Sequence, residues 1–305
     1  MSNINTVDIV GLGALGVLYA DFFTRALGAD KVRVLADAKR AERYRREGIV
    51  LNGEALELNY VDAAQATEPA DLMLFCVKFG ALEQTIAQVR HLVGENTTII
   101  SVLNGIASEE MLAEAFGREK IVWCVAQKMA SLKEGNRVIS RSIGNLALGV
   151  PAGMDTARLD ALTAFMDSVD FPYELPEDIW RHMWSKLLCN TGCNQILMVY
   201  ETTYSAIQVP GPMRDEMVEA MREVLRVGNA EGVALTEDDV TMWLDVLDHL
   251  SPDSEPSMRQ DGKAHRKSEV ELFSGTICRL GRKHNIPTPV NDSLYRRVKE
   301  MEAAY

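Results

Sequence analysis

A lysine and two asparagines recur at four-residue intervals in WSKLLCNTGCNQI, residues 184–196. Four residues advance an α-helix by about 6 Å and turn it about 40° past a full circle, so Lys186, Asn190 and Asn194 would line one narrow stripe. A lysine there could give a proton to a carbonyl oxygen during its reduction, and amides can bind hydroxyl or carboxylate oxygens without adding charge. The alternative is a lysine that extends into solvent and amides that cap buried backbone groups.

A glycine motif, GLGALG at residues 11–16, lies between a predicted strand and a predicted helix. Gly11 would permit a tight turn, Gly13 would let the backbone approach a pyrophosphate, and Gly16 would allow close packing of the helix. The N-terminus of the helix would then face the phosphates. The motif predicts a dinucleotide site, and the alternative is a turn that serves packing alone. The predicted cofactor-binding residues in this motif are Gly11, Gly13, Ala14, Leu15 and Gly16.

Charged residues follow the second predicted strand. Asp37 stands where an acidic residue would bind the ribose 2′-hydroxyl of NAD. Lys39 and Arg40 come directly after it and could instead hold the 2′-phosphate of NADP, or lie solvated on a helix. The sequence leaves these alternatives open.

Strand and helix alternate through the first 116 residues, which predicts a doubly wound parallel sheet of the Rossmann type. Asn52-Gly53 predicts the turn of a hairpin over residues 49–59. Short strands follow, and we expect them to extend the sheet in antiparallel fashion. Strands are predicted at 7–10, 32–36, 72–77, 98–102, 121–126, 137–142 and 145–150, and helices at 17–27, 39–47, 80–92, 108–116 and 155–168.

Strand signals end near Pro172–Pro176, and helical periodicity takes over. The sequence therefore predicts an α/β dinucleotide-binding domain over residues 1–175 and an all-helical substrate and catalytic domain over residues 176–305. Helices are predicted in this second domain at 177–200, 211–231, 236–249, 268–285 and 289–303.

The bulk composition excludes several classes of function. A formal net charge of -12 over 305 residues argues against nucleic acid or an anionic membrane as a partner. No apolar run approaches the roughly 20 residues of a membrane span, and residues 1–16 lack the basic region of a signal peptide. The five cysteines include no C-x-x-C pair, so neither a disulfide framework nor a metal site is expected. We expect a cytoplasmic protein, and exposed apolar helical segments are compatible with a homodimer.

Taken from residue 7 to 302, the chain resembles the ketopantoate reductase (2-dehydropantoate 2-reductase) family, an NADPH-dependent group in pantothenate synthesis. That resemblance implies an N-terminal Rossmann domain followed by a helical domain. The order and spacing of the matching segments are more specific than any one of them. They are GLGALG (11–16), CVKFGAL (76–82), SVLNGI (101–106), W-S-K-L-L-x-N-x-x-x-N (184–194), SMRQD (257–261), SEVELFSG (268–275) and G-x-x-x-x-I-P-T-P-x-N (281–291).

The resemblance implies roles for residues in the helical domain. Lys186 corresponds to the proton donor to the keto oxygen, and Glu269 to the carboxylate that pairs with it and orients it. Asn190 and Asn194 correspond to substrate-binding amides, and Ser257 to the residue that binds the substrate carboxylate. In the Rossmann domain, Asn104 corresponds to the asparagine near the nicotinamide and the lysine, where it would contact both cofactor and substrate, and Lys78 to a lysine that lines the cofactor site.

Two of these segments also have the pattern of a helix start. Ser257-x-x-Gln260 and Ser268-x-x-Glu271 each predict a capping box. The N–H groups beside Ser257 would then suit a carboxylate, and Glu269 would lie in the first turn of its helix, where a negative charge is favoured.

At the end of the second strand, the chain departs from the family pattern. Asp37 occupies the position at which the family usually has an arginine for the 2′-phosphate. The resemblance therefore implies NADP(H), while Asp37 leaves NAD(H) open. The expected activity is reduction of a 2-keto acid, with 2-dehydropantoate to (R)-pantoate as the first hypothesis. The alternatives are an NAD-dependent D-2-hydroxyacid dehydrogenase of the same superfamily and a non-catalytic dinucleotide sensor.

Overall fold

A computed structural model describes residues 4–129 and 131–305 of the chain. Met1–Asn3, which begin the segment expected to lack a signal peptide, and Ala130 lie outside the described residues. The chain divides into two compact units. The first contains the residues up to Leu103 together with Ser108–Ile179, and the second contains Asn104–Ala107 together with Trp180–Tyr305.

Strands and the first five helices form the first unit. The strands are β1 (Val7–Val10), β2 (Val32–Ala36), β3 (Ile49–Leu51), β4 (Glu54–Leu56), β5 (Tyr60–Asp62), β6 (Leu72–Phe75), β7 (Thr98–Ser101), β8 (Trp123–Gln127), β9 (Ser131–Glu134), β10 (Arg137–Ser140), β11 (Asn145–Gly149) and β12 (Tyr173–Glu174). The helices are α1 (Ala14–Leu27), α2 (Ala38–Glu47), α3 (Leu82–Val89), α4 (Ser108–Phe116) and α5 (Ala157–Ser168), with 3₁₀ turns at Phe79–Ala81, Arg90–Leu92 and Arg118–Lys120.

The central sheet is parallel, with the strand order β5-β2-β1-β6-β7. β1, β6 and β7 are buried along their whole length. The continuous apolar sequence of β6 predicts this burial for a strand covered on both faces. The chain runs outward from β1 to β2 and β5 on one side, and to β6 and β7 on the other. The strand order therefore reverses between β1 and β6, and open α/β sheets bind ligands beyond the carboxyl ends of the strands at such a point. The doubly wound Rossmann-type fold is confirmed.

The expectation that later strands extend this sheet was wrong. β9 and β10 join the β3–β4 hairpin in a separate sheet of order β4-β3-β10-β9, and β8 and β11 form a third sheet with β12. In the described part of the chain, a single bridge, between Ile99 and Ile121, continues from the edge of the central sheet. Local sequence shows that a segment is a strand, but the partner is chosen by whichever free edge the folded chain brings alongside. The hairpin itself is confirmed, with Asn52 and Gly53 both at positive φ in its turn.

Helices account for most of the second unit. They are α6 (Ile179–Val199), α7 (Pro212–Ala230), α8 (Glu237–Asp248), α9 (Ser257–Lys263), α10 (Thr276–His284) and α11 (Pro289–Glu302), with a 3₁₀ turn at Tyr204–Ala206 and a π-helical turn at Glu271–Gly275. Helical periodicity did not delimit α9, which is only two turns long, although the serine pattern at Ser257 predicts a helix start there. Of the helices in the described ranges, none has both the length and the apolarity needed to cross a membrane.

The closing I-P-T-P-x-N segment is held by a buried acid. Glu223 on α7 is fully buried, and its carboxylate accepts hydrogen bonds from the backbone N–H groups of Val290 and Asn291 at 2.9 and 2.8 Å. The Asn291 side chain also donates to it, at 2.7 Å. These contacts satisfy N–H groups at the start of α11 that have no partner within the helix, so this family landmark serves the packing of the helical unit.

Candidate active site and cofactor site

The glycine loop between β1 and α1 shows which glycines the fold itself requires. Gly11 has φ +96°, and a Cβ there would lie 2.5 Å from Val77 Cγ1. A Cβ on Gly16 would lie 2.2 Å from the Gly11 carbonyl oxygen. Both positions therefore exclude any side chain for internal reasons.

Gly13 differs from these two glycines, and its geometry distinguishes a dinucleotide-binding loop from a turn that serves packing alone. Its φ is -69°, it is exposed, and a Cβ would meet nothing closer than 3.4 Å, which is ordinary contact. The protein's own packing does not require glycine there. Gly13 is also the N-cap of α1, and it has no side chain that could accept a hydrogen bond from the helix. The first N–H groups of α1, at Ala14, Leu15 and Gly16, therefore receive no side-chain cap from Gly13. This arrangement fits a pyrophosphate that approaches the backbone closely.

Lys78 lies at the same edge of the sheet. It follows Val77, the residue that Gly11 would contact, and it caps the 3₁₀ turn after β6. Its side chain is exposed. The structure thus places Lys78 next to the glycine loop at the switch between β1 and β6.

Asp37 directly follows β2 and is the N-cap of α2. Its Oδ1 accepts a hydrogen bond from the Arg40 backbone N–H at 2.8 Å, and its Oδ2 lies 3.6 Å from Arg40 Nε. Asp37 therefore has a structural role that sequence alone did not reveal, and Arg40 offsets part of its charge. Lys39 and Arg40 are both exposed in the first turn of α2.

The Lys186 stripe lies on α6 as the spacing predicted. Lys186 and Asn190 are half-buried, and Asn194 is 6% exposed. Within residues 4–129 and 131–305, no protein group hydrogen-bonds to the side-chain amide of Asn190 or Asn194. These amides therefore do not cap buried backbone in this structure. Buried amides need partners, and a polar ligand would supply them.

Asn104 connects the lysine to the carboxylate. Its Oδ1 accepts a hydrogen bond from Lys186 Nζ at 3.2 Å, and its Nδ2 donates to Glu269 Oε2 at 3.0 Å. Glu269 is 6% exposed. One amide thus holds a cation on its oxygen and an anion on its nitrogen, which is the only orientation that satisfies both. Sequence reasoning placed Asn104 near the lysine but did not foresee this bridge.

Backbone geometry sets the position of Asn104 and Glu269. Gly105 has φ +86°, and a Cβ there would lie 3.4 Å from both the side chain and the carbonyl of Leu272. The Asn104-Gly105 turn therefore packs on the π-helical turn that follows Glu269. π-turns are rare and often occur at functional sites, because the extra residue redirects side chains. Here the turn is closed by the Gly275 N–H to the Val270 carbonyl.

Neither predicted capping box forms. Pro256 is the N-cap of α9, so Ser257 is the first helical residue, and the Gln260 side chain bonds to the Glu255 carbonyl. Proline suits this position because the cap has extended backbone angles. In the second segment the Ser268 N–H and hydroxyl both donate to Glu302, each at 2.7 Å. A charged acceptor on another helix outcompetes the local cap.

The same segment corrects the placement of Glu269 and its neighbour. Glu271 pairs with Tyr295 and Lys299 instead of capping. Glu269 itself precedes the helical segment rather than lying in its first turn.

Ser257 does start a helix, as expected, and α9 lies near the end of the Lys186 stripe. Gly262 on α9 approaches Met198, which follows Asn194 by four residues on α6. Within the residues described, the Ser257 hydroxyl has no protein hydrogen-bond partner. Its side chain is half-buried.

Cys189, near Lys186 on α6, is buried. Burial raises the pKa of Cys189, beside Lys186, to about 12, although the lysine charge opposes the shift. The thiol is therefore neutral and inert near pH 7. In the described part of the chain, no three His, Cys, Asp or Glu side chains group in a way that could hold a metal ion.

Comparison with known proteins identifies what the chain is similar to. Residues 7–153 match the model "Ketopantoate reductase PanE/ApbA", and residues 178–302 match "Ketopantoate reductase PanE/ApbA C terminal". The 2-dehydropantoate 2-reductase of Aquifex aeolicus is 25% identical over 300 residues, which cover 96% of each chain.

Two solved structures have the same fold. The 2-dehydropantoate 2-reductase of Geobacter metallireducens superposes with a TM-score of 0.85 at 25% identity, over 97% of this chain and 99% of that one. A D-mandelate dehydrogenase in complex with NADH and anilino(oxo)acetate gives a TM-score of 0.88 at 20% identity, over 98% of both chains.

Proposed function

The chain belongs to the ketopantoate reductase family and is an oxidoreductase of that type, and from this premise we propose that it reduces 2-dehydropantoate to (R)-pantoate with NAD(P)H. The observation that carries the proposal is the bridge from Lys186 through Asn104 to Glu269. The bridge joins an ammonium, an amide and a buried carboxylate, and among the described residues the amides of Asn190 and Asn194 on the same stripe have no protein partner.

Lys186 gives the proton. When bound, the nicotinamide supplies a hydride to the keto carbon, and negative charge develops on the keto oxygen. The ammonium has three N–H donors, and the bond to Asn104 uses one of them. Another can point at the keto oxygen, stabilise its charge and transfer the proton.

Asn104 and Glu269 orient the ammonium. A lysine side chain has a flexible four-carbon stem, so a fixed hydrogen-bond acceptor is needed to keep its N–H donors in one direction. The Asn104 oxygen is that acceptor, and Glu269 holds the amide by accepting from its nitrogen.

Asn190, Asn194 and Ser257 hold the substrate. An amide can both donate to and accept from the terminal hydroxyl of 2-dehydropantoate. The Ser257 hydroxyl and the first N–H groups of α9 suit its carboxylate. The Ser257 hydroxyl and these N–H groups would bind the carboxylate of any 2-keto acid. The amides of Asn190 and Asn194 favour a substrate that also carries a hydroxyl.

The glycine loop, Lys78 and the start of α2 hold the dinucleotide. Asp37 can bind the ribose hydroxyls of NAD(H), while Arg40, Lys39 and the family pattern favour NADP(H). We propose that both coenzymes are used, because Arg40 lies beside the Asp37 carboxylate and reduces its repulsion of a 2′-phosphate.

The second candidate is an NAD-dependent D-2-hydroxyacid dehydrogenase, favoured by the Asp37 carboxylate. A dinucleotide sensor is less well supported, since it has no need of the Lys186–Asn104–Glu269 arrangement.

A panel of 2-keto acids, each assayed with NADPH and with NADH, separates these activities. The sharpest pair is 2-dehydropantoate and trimethylpyruvate, which lacks only the terminal hydroxyl. We expect 2-dehydropantoate to be preferred by at least about a hundredfold in kcat/KM, because a site built for a hydroxyl is left with unpaired polar groups without it. Equal use of the two acids, or a preference for phenylglyoxylate, would support the dehydrogenase. Dinucleotide binding without turnover of any acid would support the sensor.

A further inference from the structure

Lys133 on β9 donates a hydrogen bond to the Leu12 carbonyl oxygen, 121 residues away within the glycine loop. None of the motifs discussed above includes this lysine. It is half-buried, and it is a cation placed on the backbone that surrounds the predicted pyrophosphate position.

The pairing of the small sheet explains how Lys133 reaches the loop. Lys133 lies opposite Val138 of β10 in the antiparallel register, so the two side chains share a face of the sheet. Val138 is 1% exposed and belongs to the same core as Leu12 and Val17. The face that carries Lys133 is therefore the one that packs against the start of α1, while its strand neighbours Leu132 and Glu134 are exposed.

Among the residues that the structure describes, no acidic side chain forms an ion pair with Lys133. The pKa of Lys133 is lowered to about 8, first by burial and then by the charge of Arg43 on α2. The first turn of α1 contains no acidic residue. A half-buried ammonium that faces another cation and lacks an acidic partner is unfavourable by itself, and an anion beside it would relieve that cost.

We propose that Lys133 binds the pyrophosphate of the dinucleotide while it holds the glycine loop through Leu12. The proposal rests on the dinucleotide-binding part of the proposed function. The ammonium has three donors, and the Leu12 carbonyl uses one. The others lie beside the loop whose N–H groups receive the phosphates, so Lys133 adds a full charge to backbone dipoles.

Direct binding measurements in the absence of a keto acid test this role. Dissociation constants for NADH and NADPH are measured by calorimetry at pH 7 for the whole protein and three variants. Lys133→Gln keeps an N–H donor for Leu12 but removes the charge, and Lys133→Arg keeps the charge. Lys120→Gln is the matched control, because Lys120 also donates to backbone carbonyls, those of Gly94 and Glu95, elsewhere in the same unit.

We expect Lys133→Gln to raise the dissociation constants of NADH and NADPH by the same factor, about tenfold to a hundredfold, since both carry the pyrophosphate. Lys133→Arg should stay within about threefold of the wild type, and Lys120→Gln should be unchanged. Unaltered binding by Lys133→Gln would overturn the proposal, and so would a loss confined to NADPH, which would assign the charge to the 2′-phosphate.

The binding result for Lys133 can be distinguished from the test of the proposed substrate. If the protein binds dinucleotides through Lys133 but fails to reduce 2-dehydropantoate, this inference stands and the proposed substrate is wrong. If the wild type binds neither dinucleotide, both are wrong.

Discussion

Asn104 accepts a hydrogen bond from the Lys186 ammonium at 3.2 Å, across 82 residues of sequence. Asn104 belongs to a four-residue segment, Asn104–Ala107, that packs with the helical unit although the chain on both sides of it belongs to the Rossmann unit. The loop after β7 therefore supplies part of the polar cluster around the lysine.

Replacement of Lys186 by alanine should lower kcat by about 10²- to 10⁴-fold, the usual contribution of a positioned general acid. Stability should change little, because the ammonium is half-buried on a stripe that borders solvent. Steady-state kinetics and thermal unfolding check this. Lys283→Ala, which removes a surface ion pair with Glu231 in the same unit, is the control and should keep normal turnover. Near-normal turnover in Lys186→Ala would remove the lysine from the mechanism.

Replacement of Asn104 by alanine should lower kcat by roughly tenfold to a hundredfold, with a smaller change in KM for the keto acid. The physical reason is that two hydrogen bonds to charged groups are lost, each of about 1.5–3 kcal/mol, while the acid itself remains. Asn136→Ala serves as the control, since its amide bonds only to the Glu47 carbonyl on the surface. A pure KM effect in Asn104→Ala would mean that Asn104 binds substrate without orienting Lys186.

Replacement of Ser257 by alanine should weaken keto-acid binding by about 1–3 kcal/mol and leave dinucleotide binding nearly unchanged. Pro256 is the cap of α9, so loss of the serine hydroxyl should not unravel the helix. Calorimetric titration of each ligand measures the two affinities. Ser254→Ala, three residues away, is the control because that hydroxyl bonds to the Ser251 carbonyl. Equal weakening of both ligands would contradict the assignment.

Replacement of Asp37 by arginine should shift the ratio of kcat/KM towards NADPH. The change also removes the N-cap of α2, which costs about 0.5–2 kcal/mol of stability. Asp37→Ser separates these effects, because serine can cap the helix without the charge. We expect Asp37→Ser to have a lower kcat/KM for NADH and a higher kcat/KM for NADPH than the wild type. If the wild type rejects NADH by more than about a hundredfold, roughly 2.7 kcal/mol, then Lys39 and Arg40 dominate the site.

Dinucleotide affinity should fall as the pH rises through about 8, where the Lys133 ammonium loses its proton. The lysine pKa is lowered in the free protein, so the charge is mostly present at pH 7 and mostly absent one to two units above 8. Arg43 on α2 faces Lys133, the side chain of its strand neighbour Glu134 is exposed, and the 2′-phosphate of NADPH titrates near 6, below this window. Calorimetry from pH 7 to 9.5 tests this, with proton uptake on binding expected near pH 8.5. Lys133→Arg should abolish the dependence, and a flat profile in the wild type would contradict the prediction.

Local sequence patterns predict those features of this protein that depend on near neighbours along the chain. Apolar runs and turn residues predicted the parallel strands, the hairpin at Asn52-Gly53 and nearly all the helices. Four-residue spacing placed Lys186, Asn190 and Asn194 on one stripe, and steric need selected Gly11 and Gly16. These features follow from the backbone geometry of a single element, so a short window of sequence contains the information.

The partners that lie far apart along the chain are set by the folded arrangement and cannot be read from a short window of sequence. Ser268 bonds to Glu302 instead of capping its own helix, and β10 pairs with β3 instead of extending the central sheet. Asn104 reaches Lys186 and Glu269, and Lys133 reaches Leu12, through contacts that no local pattern encodes. Several donors, acceptors and strand edges compete for each such contact. The folded arrangement of the whole unit sets which of these partners lie close enough to bind.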